Sequence, residues 1–189
     1  SANCALPSTL GSIFYIDGGD NWIIDGRAGG TGSTRNLTIE NTNTAIGSAA
    51  IRFINGATNN IVRYATLRSS NSGVAGGTVN FAGSTTVGNS NNTVTNCTVS
   101  SSSAGLANVG IGSVGVVGFV NANNTISNNE IFDNFNVAGN TYGIYISDYN
   151  SGWTISGNSF YNTVSRTLTG GSANRVWAAI GKIGRASCR

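Results

Sequence analysis

The sequence predicts an all-β solenoid in which short parallel strands stack coil upon coil. Three observations carry that expectation. Small polar residues dominate, with 27 glycines and 27 asparagines in 189 residues. A six-residue motif returns four times at nearly constant spacing, and no helical period survives for ten residues. Repeats of this length are the signature of architectures whose units bury a core only when stacked.

The composition also excludes several classes. Charged residues are 9%, histidine and methionine are absent, and proline occurs once. No run of eighteen apolar residues exists, so no transmembrane helix is expected. Helix formers are too scarce for a bundle. Disordered chains combine high charge with few aromatic and β-branched residues, the reverse of this one. Hydrolases built on Ser-His-Asp or histidine-ligated zinc lack their histidine.

The motif copies are Val62 to Leu67, Val94 to Val99, Ile126 to Ile131 and Ile155 to Phe160, starting 32, 32 and 29 residues apart. Each has apolar residues at its ends. Three follow a paired asparagine, Asn59-Asn60, Asn91-Asn92 and Asn123-Asn124, and the fourth is assigned Ser151-Gly152 in that place. A strand is read upstream of each copy: Ile51 to Ile54, Thr78 to Phe81, Gly115 to Val120, and Ile144 to Ile146. Their alternation and β-branched content support this. Asn, Gly and Ser between strand and motif suit tight turns. Phe14 to Ile16, Trp22 to Ile24 and Leu37 to Ile39 repeat the plan loosely. The total is five coils and the start of a sixth at Val176-Trp177. Gly29 to Gly32, and Ser100 to Ser103 with Gly105, Gly110, Gly112 and Gly115, read as insertions. Within the motif the apolar ends face inward and the third and fourth residues turn the corner, where Asn129 and Asn158 are expected to form a structural ladder, with Cys97 and Ala65 filling the same place in the earlier coils.

These repeats resemble right-handed parallel β-helix repeats of the pectate-lyase-like architecture. Stretches such as Trp22 to Arg27, Leu37 to Thr42 and Ile51 to Gly56 are similar to large secreted β-helix proteins of Gram-negative bacteria, commonly exported by type IX secretion. The resemblance covers nearly all of residues 13–180. It implies a secreted or cell-surface protein and fixes no activity, since fold does not settle function.

The last eight residues, Lys182 to Arg189, resemble a translated sequencing adaptor, one frame of which encodes Ile183 to Arg189. Residues 1–181 are therefore expected to be one β-helix fragment and 182–189 an artefact. Three of ten basic residues then drop out, leaving seven against seven acids. The apparent net charge of +3 gives no reason to expect a nucleic-acid partner. Cys4 and Cys97 remain, with neither disulfide nor metal spacing.

Candidate chemistry is sparse. Glycosidases need two carboxylates across the bond. Asp17, Asn55, Gly83, Asn121 and Asp148 are aligned at one turn, and Asp133 with Ser69, Ser101 and Asn162, so neither Asp148 nor Asp133 gains an acidic neighbour. No catalytic residue is assigned. A lyase needs a basic residue and charge neutralisation. Arg52 and Arg63 flank one turn, and a guanidinium pair would suit a carboxylate. Calcium wants six to eight oxygens, which no acidic cluster supplies, so no metal or cofactor is expected. Tyr142, Tyr145, Tyr149, Trp153 and Tyr161 concentrate in the fifth coil. With Ile144 and Ile146 inward, Tyr145 points outward. Tyr145 and Trp153, with Arg52 and Arg63, are the expected glycan contacts. The resulting expectation is a non-catalytic surface scaffold, adhesive or glycan-binding. The alternative is a polysaccharide lyase whose site is on the arginine face or outside residues 1–181.

Overall fold

In a computed structural model the chain is described over residues 11–136, 139–166 and 176–181. Cys4, Cys188 and the segment 182–189 lie outside the described residues. The first coil holds β1 (Ser12–Asp17), β2 (Ile23–Asp25) and β3 (Leu37–Asn41), and the second β4 (Ala49–Ile54), β5 (Ile61–Arg63) and β6 (Ala65–Ser69). Next come β7 (Val79–Phe81), β8 (Thr93–Thr95) and β9 (Thr98–Ser101). The fourth pass is β10 (Val109–Ser113), β11 (Asn121–Ala122), β12 (Thr125–Ser127) and β13 (Glu130–Phe132). The fifth is β14 (Thr141–Ile146), β15 (Asn150–Ser151), β16 (Thr154–Ser156) and β17 (Ser159–Tyr161), and β18 (Trp177–Gly181) follows.

Every strand pairs in parallel with its equivalent one coil away. The long sheet runs β1-β4-β7-β10-β14-β18, and two further sheets run β2-β5-β8-β12-β16 and β3-β6-β9-β13-β17. The path from β2 to β16 thus makes four full turns of a parallel β-solenoid. Among the described residues helical content is one 3-10 turn, Ala28–Gly30, in the predicted glycine-rich corner insertion.

The core is a set of columns running through the coils. Ile51, Val79, Ile111 and Ile144 are in register and buried, as are Val62, Val94 and Ile126, and Leu67, Val99 and Ile131. Phe53 and Phe81 stack with centroids 4.6 Å apart. Ala50 and Ile51 both face this core and their N–H groups share the Thr78 carbonyl at 2.9 and 3.3 Å, a bulge in the long sheet.

Asparagine shapes the corners in two ways. Asn59, Asn91 and Asn123 take φ of 59°, 58° and 54°, and Gly152 takes 64° at the same place. Left-handed backbone costs asparagine less than most residues. The next asparagine in each pair is buried. Asn60 donates its backbone N–H and its Nδ2 to Asn92 Oδ1 at 3.0 and 2.8 Å, and Asn92 donates both to Asn124 Oδ1 at 2.9 and 3.0 Å. A second ladder joins Ala57, Asn89 and Asn121. The predicted third holds: Asn129 donates twice to Asn158 Oδ1 at 3.0 Å, and Cys97 N–H donates to Asn129 Oδ1 at 2.9 Å. Each ladder gives buried backbone N–H groups at a corner an acceptor from the next coil.

Several sequence expectations need correction. The fourth-pass strand is Val109–Ser113, whereas Gly115 to Val120 forms a turn closed by the Val116–Phe119 bridge. Gly110 and Gly112 were therefore misread as insertion, and Ser100 and Ser101 belong to β9. The fourth corner pair is Gly152-Trp153 rather than Ser151-Gly152, because Thr154 pairs with Thr125. Asn121 leaves the proposed turn position for the second ladder, and Asp17 sits one residue earlier, opposite Ile54.

Candidate functional site

One register row on the outer side of the long sheet holds Tyr15, Arg52, Asn80, Gly112 and Tyr145. Its middle is covered, Asn80 and Gly112 being buried with the Gly76 carbonyl packed against Gly112. Strand alternation places them: Ile144 and Ile146 are buried and Tyr145 between them is half-exposed. Strand spacing separates Arg52 from Tyr145 by about 14 Å along this row. Arg52 lies over the Tyr15 ring at 5.6 Å. It has no carboxylate partner among the described residues. Its Nε and the Oδ1 of Asn80, a cross-strand neighbour only 3% exposed, are both buried without a hydrogen-bond partner among the described residues. Tyr142 and Tyr145 meet at 4.7 Å on the same face. Partial burial pushes the Tyr142 hydroxyl upward in pKa, with a lesser push from Tyr145.

Arg63 is placed differently. It lies on β5, in another sheet from Arg52, and its Nε binds Asp25 Oδ2 at 2.9 Å. Arg27 grips the same carboxylate through Nε at 2.9 Å and Nη2 at 2.7 Å and stacks over Tyr64 at 4.4 Å. Arg27 chiefly, with Arg63, holds the Asp25 carboxyl well below the usual carboxylate range against the opposing effect of burial. The expected Arg52–Arg63 pair is thus divided between two sheets, and Arg63 is already engaged by the Asp25 carboxylate that it shares with Arg27.

Trp153 occupies the ladder position after Asn124. Its ring packs edge-on against Phe81 at 4.9 Å and its Nε1–H donates to the Asn121 carbonyl at 3.2 Å. The indole is half-buried against the core rather than standing out from the sheet. Tyr149 is exposed at a corner with φ of 56°.

The carboxylates have structural partners. Glu130 accepts Arg35 Nη1 at 2.9 Å and the Tyr161 hydroxyl at 3.1 Å, Asp133 accepts Thr163, Glu40 accepts Ser103, and Asp17 accepts Asn55. No cluster of metal-ligating side chains occurs among the described residues. Burial pushes the Cys97 thiol up to about 11, so it is protonated and unreactive at neutral pH.

A cleft of about 310 Å³ opens beside Tyr142, between the end of β13 and β17 and the start of β14 and β18. Phe132, Tyr142, Phe160 and Tyr161 form much of its wall, and Phe132 stacks on Tyr161 at 5.0 Å. Sequence reasoning named Tyr142 and Tyr161 as members of an aromatic group and missed the cleft. No known protein family, curated protein or solved structure matches the chain. What the arrangement can do must be read from its own side chains.

Proposed function

We propose that this protein is a non-catalytic extracellular or cell-surface scaffold that contacts glycans through the outer face of its long sheet. The observation that carries this reading is the row Tyr15–Arg52–Asn80–Tyr145. It sets aromatic faces beside a buried donor, Arg52 Nε–H, and a buried acceptor, Asn80 Oδ1, that lack partners. A hydroxyl group both accepts and donates, so sugar hydroxyls match both kinds of unpaired group. Aromatic rings offer the apolar surface on which sugar rings stack. Export to the cell exterior, by type IX secretion or otherwise, is part of the same proposal and rests on the sequence resemblance alone.

Calorimetric titration of the protein with a panel of neutral and uronate polysaccharides tests the reading. Arg52→Ala and Tyr145→Ala are each expected to weaken binding at least tenfold with the fold intact. If neither substitution changes it, this face is not the site. The lyase alternative has Arg52 as its basic residue, a part-buried cation with no carboxylate partner among the described residues. It would generate a conjugated double bond, and no rise in ultraviolet absorbance on uronate polymers is expected.

A further inference from the structure

We infer that the cleft beside Tyr142 is a pocket for one uncharged sugar unit, with the Asn134 side-chain amide as its polar anchor. The inference deepens the glycan reading and rests on it. Asn134 lies in the cleft wall, is only 7% exposed, and has no hydrogen-bond partner for either Nδ2 or Oδ1 among the described residues. Buried polar groups are normally paired, and an orphaned amide at a cleft points to something that completes it. An amide offers a donor and an acceptor side by side, which matches adjacent hydroxyls on a ring.

Size and charge narrow the ligand. A volume of about 310 Å³ lies at the bottom of the range of roughly 300–1,000 Å³ usual for small-molecule sites. That is room for about one sugar ring within the cleft. Among the described residues no charged side chain lines the cleft. The nearest carboxylates, Glu130 and Asp133, face other partners and would repel an anionic sugar. Walls of Phe132, Tyr142, Phe160 and Tyr161 suit the C–H face of a pyranose, and Tyr142 touches Tyr145. The pocket is therefore continuous with the outer sheet face, which would carry the rest of a chain.

The test is two-dimensional NMR titration of the full chain with glucose, galactose, mannose and glucuronate, beside polysaccharide titrations of the same protein. A neutral monosaccharide is expected to shift the amides of residues 131–135, 141–143 and 160–162. Asn134→Leu is expected to weaken that binding at least tenfold while the melting temperature holds or rises. A purely structural asparagine would instead lose melting temperature on that change. If polysaccharide binding depends on Tyr145 but no monosaccharide shifts these amides, the pocket is wrong and the sheet-face reading stands. Glucuronate binding as tightly as the neutral sugars overturns the assignment to uncharged units. Absence of binding by every sugar and polymer overturns both.

Discussion

Two adjacent asparagines at one corner carry opposite burdens. Asn91 is exposed and holds a left-handed backbone, whereas Asn92 is fully buried and holds four hydrogen bonds to neighbouring coils through its side chain. Substituting Asn91 by glycine is expected to change stability by less than about 0.5 kcal/mol, since glycine takes that conformation freely. Asn91→Val should cost about 1–3 kcal/mol, the strain of a β-branched residue there. Asn92→Ala leaves the buried Asn60 N–H without its acceptor and takes from the Ala57 carbonyl one of its two donors, the Ser90 N–H remaining, and about 2 kcal/mol or more should be lost. Thermal or urea melts of the three variants check the order. Equal losses at positions 91 and 92 would show that the corner conformation, not the ladder, sets stability.

At the scale of the strand, β10 explains how glycine-rich sequence joins a sheet. At the Gly110 position a Cβ would lie 2.6 Å from the Gly143 carbonyl oxygen and 2.8 Å from Ile131 Cγ2, and one at Gly112 would collide with the Gly76 carbonyl. Close approach of chain on both faces demands these glycines, so their lack of side chains is a packing feature. Gly110→Ala is expected to destabilise by about 2 kcal/mol or more, whereas Gly11→Ala, with nothing within 4 Å, should be nearly neutral. A melt in which both behave alike would refute this account of β10. The same feature explains why β10 was not legible: strand signals depend on β-branched side chains, and here the neighbours require their absence. Where side chains alternate, as in Ile144-Tyr145-Ile146, both the strand and the outward tyrosine were legible. The Asn129–Asn158 ladder was legible because its motif position is fixed by flanking apolar residues. Trp153 was expected among the exposed contacts because it directly precedes a turn-flanking motif, whereas it takes the inward place of the fourth corner pair that Asn124 holds one coil earlier. Capture of Arg63 by Asp25 depends on pairing across 38 residues, and Asn134 depends on the cleft around it. Neither has a local sequence signal.

For the whole molecule the question is how a stack of weakly stable coils behaves as one unit. Solenoid stability is approximately a sum of repeat terms and nearest-neighbour interfaces, so end coils tend to fray. Here two straps run beyond nearest neighbours from the first coil. Arg35, at the end of the insertion between β2 and β3, donates its Nε–H to the Asn96 carbonyl at 2.8 Å and pairs with Glu130 at 2.9 Å, reaching the third and fourth passes. Glu40 on β3 accepts the backbone N–H and hydroxyl of Ser103, also in the third pass, at 3.0 and 3.3 Å. The Arg35 ion pair is part-exposed, and such pairs contribute only about 0–1 kcal/mol. Its importance is therefore in coupling rather than in total stability. Opening the first coil alone must break the strap, whereas a purely nearest-neighbour stack would let it fray freely. Arg35→Ala is expected to lower the melting temperature by only about 2–4 °C and to broaden the transition. Hydrogen exchange should quicken across residues 23–41, while residues 144–160 keep their wild-type rates. If exchange in the first coil is unchanged, the strap is passive and the stack couples through its sheets and asparagine ladders alone.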